Sequence, residues 1–372
     1  MSLLSLTVIG WLVVTVLCAW VLPRKAQPWG ISLCTAAFLA FFSWISLCIL
    51  AGTSLAVFFL LKRNKVHGAA LLCAVGVISA IFIWFKLKGA AAGAAAMVIP
   101  LGLSYYSFRQ IHYIFESYKR KLEEHTLSDY LCYLFFLPTL HVGPIHRFPE
   151  FLRDLRRRRW DTGALSNGLE RILYGYAKIV IASNFLIAKQ FNLLIIQVNP
   201  SHPYLAAYLR SVSHWMNLYF QFSGYSDIAI GFSLIMGFRI MENFNYPFLA
   251  HNVAEYWQRW HISLSSWCRD YVYIPMASLT RKPGLAILAA MLILGLWHEF
   301  SGRYVLWGLY NGAAIVLWHL FQTMKKSLPA WKNRVWLLTT RSVAVLVTFN
   351  FILTSFAVAS YLYSKMLALK GR

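Results

Sequence analysis

The chain has 372 residues, of which 59% are hydrophobic and only 13% are charged. A soluble domain usually carries about 25% charged residues, and 26 Phe, 20 Tyr and 15 Trp exclude intrinsic disorder. The formal charge of +22 fits the Lys and Arg excess of cytoplasmic loops in a membrane protein. Nucleic-acid binding is not expected, because no folded polar module separates the apolar runs. The composition predicts a polytopic membrane protein.

The first two apolar stretches set the topology. Residues 3–22 can span a membrane and lack a signal-peptide pattern, so we expect a retained first helix. Arg24 and Lys25 follow it, which puts the N-terminus outside. Residues 31–61 carry no charge and are too long for one straight span. Two helices that break between Ser46 and Gly52 would keep both basic flanks inside, whereas one tilted helix would not; both interpretations stay open.

Several later apolar runs are only about 14 residues long, too short to cross a bilayer unaided. Such segments imply an interior lined by protein or water. The further runs lie near residues 67–85, 90–106, 127–140, 170–195, 204–222, 226–240, 285–297, 303–323 and 335–366. No internal repeat is visible, which weakens the hypothesis of a transporter built from inverted halves. The six cysteines are scattered singly, so neither a metal site nor a disulfide framework is expected.

Charged residues occur within or between these apolar segments, where charge is costly and often functional. Arg109, His112 and Glu116 share one face of a predicted helix, and Asp227 lies between two apolar runs. Buried ion pairs that stabilise helix packing are the simpler explanation. A proton relay in a non-enzymatic transporter or flippase is the alternative.

The segment from Asn252 to Pro275 is predicted as one helix, capped by Asn252 and ended by Pro275. An apolar stripe runs along it at helical spacing: Tyr256, Trp260, Leu264, Trp267 and Tyr271. The opposite face is too polar for lipid, so this helix should lie in the interface or line a cavity. His261 lies beside the stripe.

A second histidine, His298, ends the apolar run from Leu285 to Trp297. A neutral imidazole tolerates burial and has a pKa near physiological pH, so it can take a proton from a hydroxyl nucleophile. A structural histidine with hydrogen bonds inside the protein remains the alternative for each residue. His298 and His261 are the candidate catalytic residues.

Six motifs occur in an order that is typical of one family. They are FLPTLHVGPIHRF (136–148), FSGYSDIAIG (222–231), ENFNYPF (242–248), RWHISLSSWCRDYVYIP (259–275), GLWH (295–298) and WGLYNG (307–312). With them the chain resembles the membrane-bound O-acyltransferase family, and most of all its bacterial branch of alginate O-acetylation and teichoic-acid D-alanylation membrane proteins. The resemblance covers about residues 100–320.

The resemblance implies one integral membrane domain over residues 1–372, all-α, with about ten transmembrane helices and short tilted and re-entrant helices around a central tunnel. His298 matches the catalytic histidine of the GLWH motif, and His261 matches a second histidine that supports or orients the site. The implied localisation is the bacterial plasma (inner) membrane. The implied reaction moves an acyl group, acetyl by preference, from a cytoplasmic thioester to a cell-envelope polysaccharide or glycan. D-Alanyl transfer from a carrier protein is the alternative within the family, and a scaffold that has lost activity is a third reading.

No bound cofactor and no metal are expected, since the thioester donor, acetyl-coenzyme A or an acyl-carrier protein, is a substrate. The expected partners are coenzyme A or an acidic carrier on the cytoplasmic side, anionic lipid, and an exported or membrane-anchored acyltransferase or esterase-like protein. The basic run from Arg153 to Arg159 suits such a cytoplasmic face, or simply anchors the topology. The further tunnel and substrate-contact candidates are Trp297, Trp260, Arg269, Asp270, Tyr271, Tyr273, Asn243, Asn245 and Asp227.

Two positions depart from the pattern of many relatives. Glu299 follows the GLWH histidine where a small residue is common, and it can pair with His298 or with Arg303 four residues on. Asn311 stands where relatives often have a histidine. Among His261, Tyr271 and Tyr273, the sequence does not decide which donates a hydrogen bond to the developing oxyanion.

Overall fold

The structure, a computed structural model, describes residues 5–62, 68–91, 100–325 and 334–370. Within these ranges the backbone is almost entirely helical, and it contains no β-strand beyond an isolated bridge between Phe244 and Trp260. Residues 31–61 are followed by a basic flank that includes Arg63 and Lys65, and these two residues lie outside the described ranges.

Five described helical stretches are long and apolar enough to cross a membrane. They are Trp44–Lys62, Gly68–Lys88, Thr162–Val198, Gly302–Met324 and Thr339–Leu369, and three shorter apolar helices add Leu6–Val21, Gln27–Phe42 and Pro283–His298. The prediction of an all-α polytopic membrane protein is confirmed. The expected total of about ten membrane helices and the central tunnel stay predictions.

The chain divides into two compact units, 1–191 with 216–242, and 192–215 with 243–372. The first unit contains helices α1 (Leu6–Val21), α2 (Gln27–Phe42), α3 (Trp44–Lys62), α4 (Gly68–Ala91), α5 (Leu103–Tyr118), α6 (Leu127–Leu134), α7 (Phe148–Arg157) and α8 (Thr162–Ala177), with a wider π-helical stretch at Lys178–Phe191. The second contains α9 (Asn192–Val198). Helix α10 (Pro203–Ile235) contributes its first part to the second unit and its remainder to the first. The expectation of a single domain stays a prediction.

The uncharged run at residues 31–61 forms two helices, but the break falls at Ser43 and not between Ser46 and Gly52 as expected. Ser43 ends α2 and its hydroxyl lies 2.6 Å from that of Ser46 and 3.4 Å from the Ser46 amide. A serine at this place satisfies the first amides of the next helix, as an N-cap does. The break is therefore set by a polar cap inside an apolar sequence.

Four glycines, spaced seven residues apart in pairs, bring α8 against the end of α10. An added Cβ at Gly175 would lie 2.6 Å from the carbonyl oxygen of Gly224, and one at Gly231 would lie 2.6 Å from that of Gly168. Backbone thus meets backbone at two points, as small residues allow between membrane helices. We refer to this contact of Gly168, Gly175, Gly224 and Gly231 as the glycine seam.

An ion-pair network around the buried Asp227 lies next to the seam. Asp227 Oδ1 accepts from Arg171 Nε at 2.7 Å and its Oδ2 accepts from Lys178 Nζ at 2.6 Å, while Arg171 also pairs with Glu242. The Asp227 side chain is 5% exposed, so its charge is removed from solvent and matched by two cations. Asp227 is therefore part of an ion pair between packed helices, which is the simpler of the two explanations given by the sequence.

The first unit also holds a buried guanidinium that lacks a carboxylate partner among the described residues. Arg109 is fully buried, and its Nη1 donates to the Tyr133 carbonyl at 3.1 Å. His112, on the same helix, accepts from the Phe148 amide at 2.9 Å through Nε2, and Glu116 pairs with Lys119. The simpler explanation of a buried ion pair does not hold for Arg109 among the described residues, since backbone carbonyl and ring contacts hold the guanidinium in place.

One arginine of the basic run is buried, unlike its neighbours. Arg158 donates to the Met236 carbonyl at 3.0 Å and to the Ala19 carbonyl at 2.9 Å, and its guanidinium lies over the ring of Trp20. Free helix carbonyls are satisfied in this way at a helix C-terminus. Arg153, Arg156, Arg157 and Arg159 are exposed, so only these can meet a partner.

The second unit continues with short helices and then long ones. These are α11 (Val253–Arg259), α12 (Ile262–Cys268), a π-helical turn at Arg269–Tyr273, α13 (Ile274–Thr280), α14 (Pro283–His298), α15 (Gly302–Lys325) and α16 (Arg334–Lys370). The prediction of one helix from Asn252 to Pro275 was wrong. Asn252 does cap α11, since its Oδ1 accepts from the Glu255 amide at 2.8 Å, but the helix breaks at Trp260 and His261, and Pro275 lies in the first turn of α13 instead of ending a helix.

Candidate functional site

The break between α11 and α12 is held by an extended segment that precedes α11. The Asn245 amide donates to the Arg259 carbonyl at 2.9 Å, and the Ile262 amide donates to the Asn243 carbonyl at 2.9 Å. These two bonds flank the isolated bridge of Phe244 with Trp260. The ENFN and RWH motifs therefore lie side by side, and His261 is at their junction.

His261 adopts a left-handed backbone conformation, with φ of 45°. This conformation costs roughly 1–3 kcal/mol for a residue other than glycine and persists only where the surroundings impose it. The side chain is 4% exposed, and its Nδ1 lies 3.0 Å from Asn243 Oδ1. The two backbone bonds and this side-chain contact impose the strained geometry on His261.

His298 is positioned by a close contact between α14 and α15. An added Cβ at Gly308 would lie 2.5 Å from the Met291 carbonyl oxygen, and one at Gly295 would meet the Tyr304 carbonyl oxygen. Glycines let the two helix backbones touch. His298, one turn after Gly295, is thereby brought against the first turns of α15.

Three aromatic rings surround His298. The ring centroids of Trp297, Trp307 and Tyr304 lie 4.6, 5.5 and 5.6 Å from that of His298, and the Tyr304 ring is stacked on it with an interplanar angle of 20°. Trp297 also contacts His261, at 5.9 Å between centroids. The two histidines share Trp297 as a neighbour, so they belong to one site.

The two histidines differ in accessibility. His298 is exposed at the end of α14, whereas His261 is buried. His261 lies outside the apolar membrane-crossing helices. Burial lowers the pKa of His261 to about 3, with a smaller decrease from His298. His261 is therefore neutral at physiological pH, and His298 is the histidine that a substrate can reach.

The other predicted site residues make the following contacts in the structure. Trp260 is buried and stacks on Tyr256 at 5.7 Å, and Asn245 is exposed. Arg269 pairs with Asp270 at 2.8 Å on the π-helical turn. Tyr271 packs on Trp267 at 5.3 Å, and Tyr273 is half-buried. Asp227 belongs to the other unit. Together with His261 and His298, Trp297 and Asn243 form the assembled site.

Two open questions from the sequence have structural answers. The Glu299 carboxylate accepts from Arg303 at 3.2 Å, which is the surface pair of the two alternatives. Asn311 is fully buried and its Nδ2 donates to the Trp307 carbonyl at 3.0 Å, so it braces the helix that carries Tyr304 and Trp307.

Sequence reasoning missed three contributors. Ser263 donates to Asn243 from its amide and its hydroxyl, and Tyr304 and Trp307 pack on His298. Tyr304 and Trp307 are three residues apart on α15, and this spacing is the signal for a shared helix face. Ser263 gave no signal, because its partner lies 20 residues away.

An accessible imidazole beside a buried neutral one, among three aromatic rings, is chemically suited to proton transfer to and from a hydroxyl or thiol. The all-α polytopic fold defines the chain as an integral membrane protein, and it places this histidine pair among its helices.

The chain belongs to the membrane-bound O-acyltransferase family, whose model matches residues 2–363. It is 36% identical over 220 residues to the probable alginate O-acetylase AlgI of Pseudomonas aeruginosa, which covers 58% of this chain and 42% of that relative. It is 30% identical over 278 residues to the teichoic acid D-alanyltransferase of Bacillus subtilis, which covers 70% of this chain and 68% of the relative. The peptidoglycan O-acetyltransferase of Helicobacter pylori is 29% identical over 309 residues, with 74% and 57% covered. The chain spans less than half the length of the alginate O-acetylases that it matches.

Proposed function

We propose that this protein is an O-acyltransferase of the bacterial inner membrane that moves an acetyl group from a cytoplasmic thioester to a hydroxyl of a cell-envelope polysaccharide or glycan. The observation that carries the proposal is the placement of His298, which is exposed and packs against Trp297, Tyr304 and Trp307. Family membership and the two acetyl-transferring relatives support it.

The reaction follows from the accessible imidazole. A ring nitrogen of His298 takes the proton of the acceptor hydroxyl as its oxygen attacks the thioester carbonyl carbon. The new C–O bond forms and the carbonyl electrons move to oxygen. When this oxyanion collapses, the C–S bond breaks and the thiolate takes the proton back from His298. The products are an ester and a thiol, and a base of this kind contributes about 10²–10⁴-fold to the rate.

The donor is a thioester of coenzyme A or of an acidic carrier protein, met on the cytoplasmic face. The exposed arginines Arg153, Arg156, Arg157 and Arg159 supply the positive charge that phosphates, an acidic carrier or anionic lipid would meet. Arg156 already donates to Glu123 at 3.0 Å, so the other three carry more of this role. An exported or membrane-anchored esterase-like protein is the proposed partner on the outer side.

D-Alanyl transfer is the second candidate, and a specific observation favours it. The teichoic acid D-alanyltransferase of Bacillus subtilis matches 70% of this chain and 68% of its own length, more of both than the alginate O-acetylase of Pseudomonas aeruginosa matches. Both reactions use the same thioester chemistry and differ in the group carried.

The test is acyl transfer in vesicles that contain the purified protein, with radiolabelled acetyl-coenzyme A in one arm and a D-alanyl carrier protein in the other. Transfer of label from acetyl-coenzyme A to a glycan or partner supports the first candidate, and transfer only from the carrier supports the second. His319→Ala, which changes an exposed histidine on α15, is the matched control for His298→Ala. Equal transfer by His298→Ala and the control would contradict the proposed base.

A further inference from the structure

Asn243 makes hydrogen bonds beside the histidine pair through both its backbone and its side chain. It is fully buried, and its backbone carbonyl accepts from the Ile262 amide at 2.9 Å. Its side-chain oxygen Oδ1 accepts from the Ser263 amide at 3.3 Å and from the Ser263 hydroxyl at 2.8 Å. The same oxygen lies 3.0 Å from Nδ1 of His261. One side-chain amide therefore contacts His261, at the break, and Ser263, in the first turn of α12.

These contacts fix which end of the Asn243 amide faces His261. A backbone N–H can only donate, so the atom that faces the Ser263 amide must be the carbonyl oxygen and not the amide nitrogen. The assignment of Oδ1 therefore rests on the hydrogen-bond network, as it must for an asparagine.

The tautomer of His261 follows. An amide oxygen cannot donate, so Nδ1 must carry the proton that lies between the two atoms. The other tautomer would turn a lone pair of Nδ1 toward the lone pairs of Oδ1 at 3.0 Å. In a neutral imidazole with Nδ1 protonated, Nε2 has the lone pair and is the acceptor. His261 stays neutral because burial lowers its pKa to about 3.

We propose that Asn243 is a positioning residue that fixes His261 in the Nδ1-protonated tautomer, so that His261 acts in the site as a hydrogen-bond acceptor and not as the donor to the oxyanion. This inference rests on the proposed acyl transfer for its catalytic meaning. It assigns His261 to receiving a hydrogen bond, from the acceptor hydroxyl or from the imidazole N–H of His298. The oxyanion donor is then a different group, and Tyr271 and Tyr273 remain the candidates.

The first test needs no activity. Wild-type protein labelled with ¹⁵N-histidine, compared with His261→Gln to assign the signals, reports which ring nitrogen of His261 is protonated at neutral pH. We expect a protonated Nδ1 and a bare Nε2. A protonated Nε2 would overturn the inference, even if the protein is an acyltransferase. A wild type that transfers no acyl group would overturn the proposed function and leave this result standing.

Two variants test the catalytic consequence. Asn243→Leu keeps the branched shape of the side chain but removes the acceptor, so His261 can take the wrong tautomer; we expect kcat to fall at least about 10-fold with KM nearly unchanged. The same substitution at exposed Asn199 is the control and should leave kcat unchanged. Unchanged kcat in folded Asn243→Leu would contradict the proposal.

Asn243→Asp retains the acceptor oxygens and adds a negative charge beside Nδ1. The charge favours the imidazolium, so the pKa of His261 should rise. Activity should be retained at high pH and lost as the pH falls through the raised pKa, at a pH where the wild type still works. If the pH profile of Asn243→Asp is identical to that of the wild type, the proposal is overturned. This test remains available if Asn243→Leu fails to fold.

Discussion

Asp227 and the histidine pair are both polar centres among apolar helices, and they are built in opposite ways. Asp227 is an anion whose two oxygens meet Arg171 and Lys178 at 2.7 and 2.6 Å, so its charge is neutralised within its own unit. His261 is buried with its Nδ1 against Asn243 Oδ1, and His298 is exposed. Breaking an ion pair such as that of Asp227 destabilises the fold, whereas an accessible imidazole is available for proton transfer.

The comparison is tested most strongly by His298→Ala. Loss of the base should reduce acyl transfer by about 10²–10⁴-fold, because this is the usual contribution of general base catalysis. The thermal unfolding midpoint in detergent should match that of the wild type, since His298 is exposed. A variant that unfolds early or fails to accumulate would make His298 a structural residue like Asp227.

Asp227→Leu should show the reverse pattern. Removing the carboxylate leaves Arg171 and Lys178 without their shared partner, and because both cations are about a third exposed the cost should stay below that of breaking a fully buried pair, about 3–5 kcal/mol. We expect a lower unfolding midpoint and low membrane abundance. If the variant is as stable as the wild type but inactive, Asp227 has a role in the reaction, and the contrast with the histidines disappears.

A comparison of Arg158→Ala with Arg159→Ala tests the same contrast, between a structural and an accessible residue, within the basic run. Arg158 donates to two helix carbonyls, and hydrogen bonds to a charged group contribute about 1.5–3 kcal/mol each. Its loss should therefore lower the midpoint of unfolding. Arg159 is exposed, so its replacement should leave the midpoint unchanged and weaken use of an acidic donor, measured as a raised KM. Equal effects of the two changes on stability would contradict this division.

Glu299→Gln should have the smallest effect. Its pair with Arg303 at 3.2 Å is partly exposed, and such pairs contribute about 0–1 kcal/mol. The midpoint of unfolding and the pH profile of transfer should both stay close to those of the wild type. A shifted pH profile would show instead that Glu299 acts on the basicity of His298.

The sequence predicted the helical membrane class and singled out both His261 and His298. Apolar runs and short motifs can be read directly along the chain. It placed the break in residues 31–61 several residues late, since only the Ser43 hydroxyl distinguishes the true site. It also continued one helix through His261, because the aromatic stripe keeps its spacing across the break. The reason for the break lies in Asn243, 18 residues earlier, and pattern reading does not reach contacts of that separation.

The basic run shows a second kind of limit. Arg158 and Arg159 are adjacent and identical in chemistry, yet one is buried against Trp20 and the other is exposed. Local sequence could not separate them, because the carbonyls that Arg158 satisfies belong to Ala19 and Met236, far away along the chain.

The glycine seam restricts the register in which α8 packs against the end of α10. Its two contact points are seven residues apart on each helix, and an isoleucine lies four residues after each glycine of α8 at Ile172 and Ile179. If one helix slid by a turn, an isoleucine would meet backbone where only a glycine fits. The seam therefore favours one alignment of the two helices, and that alignment places Asp227 against Arg171 and Lys178.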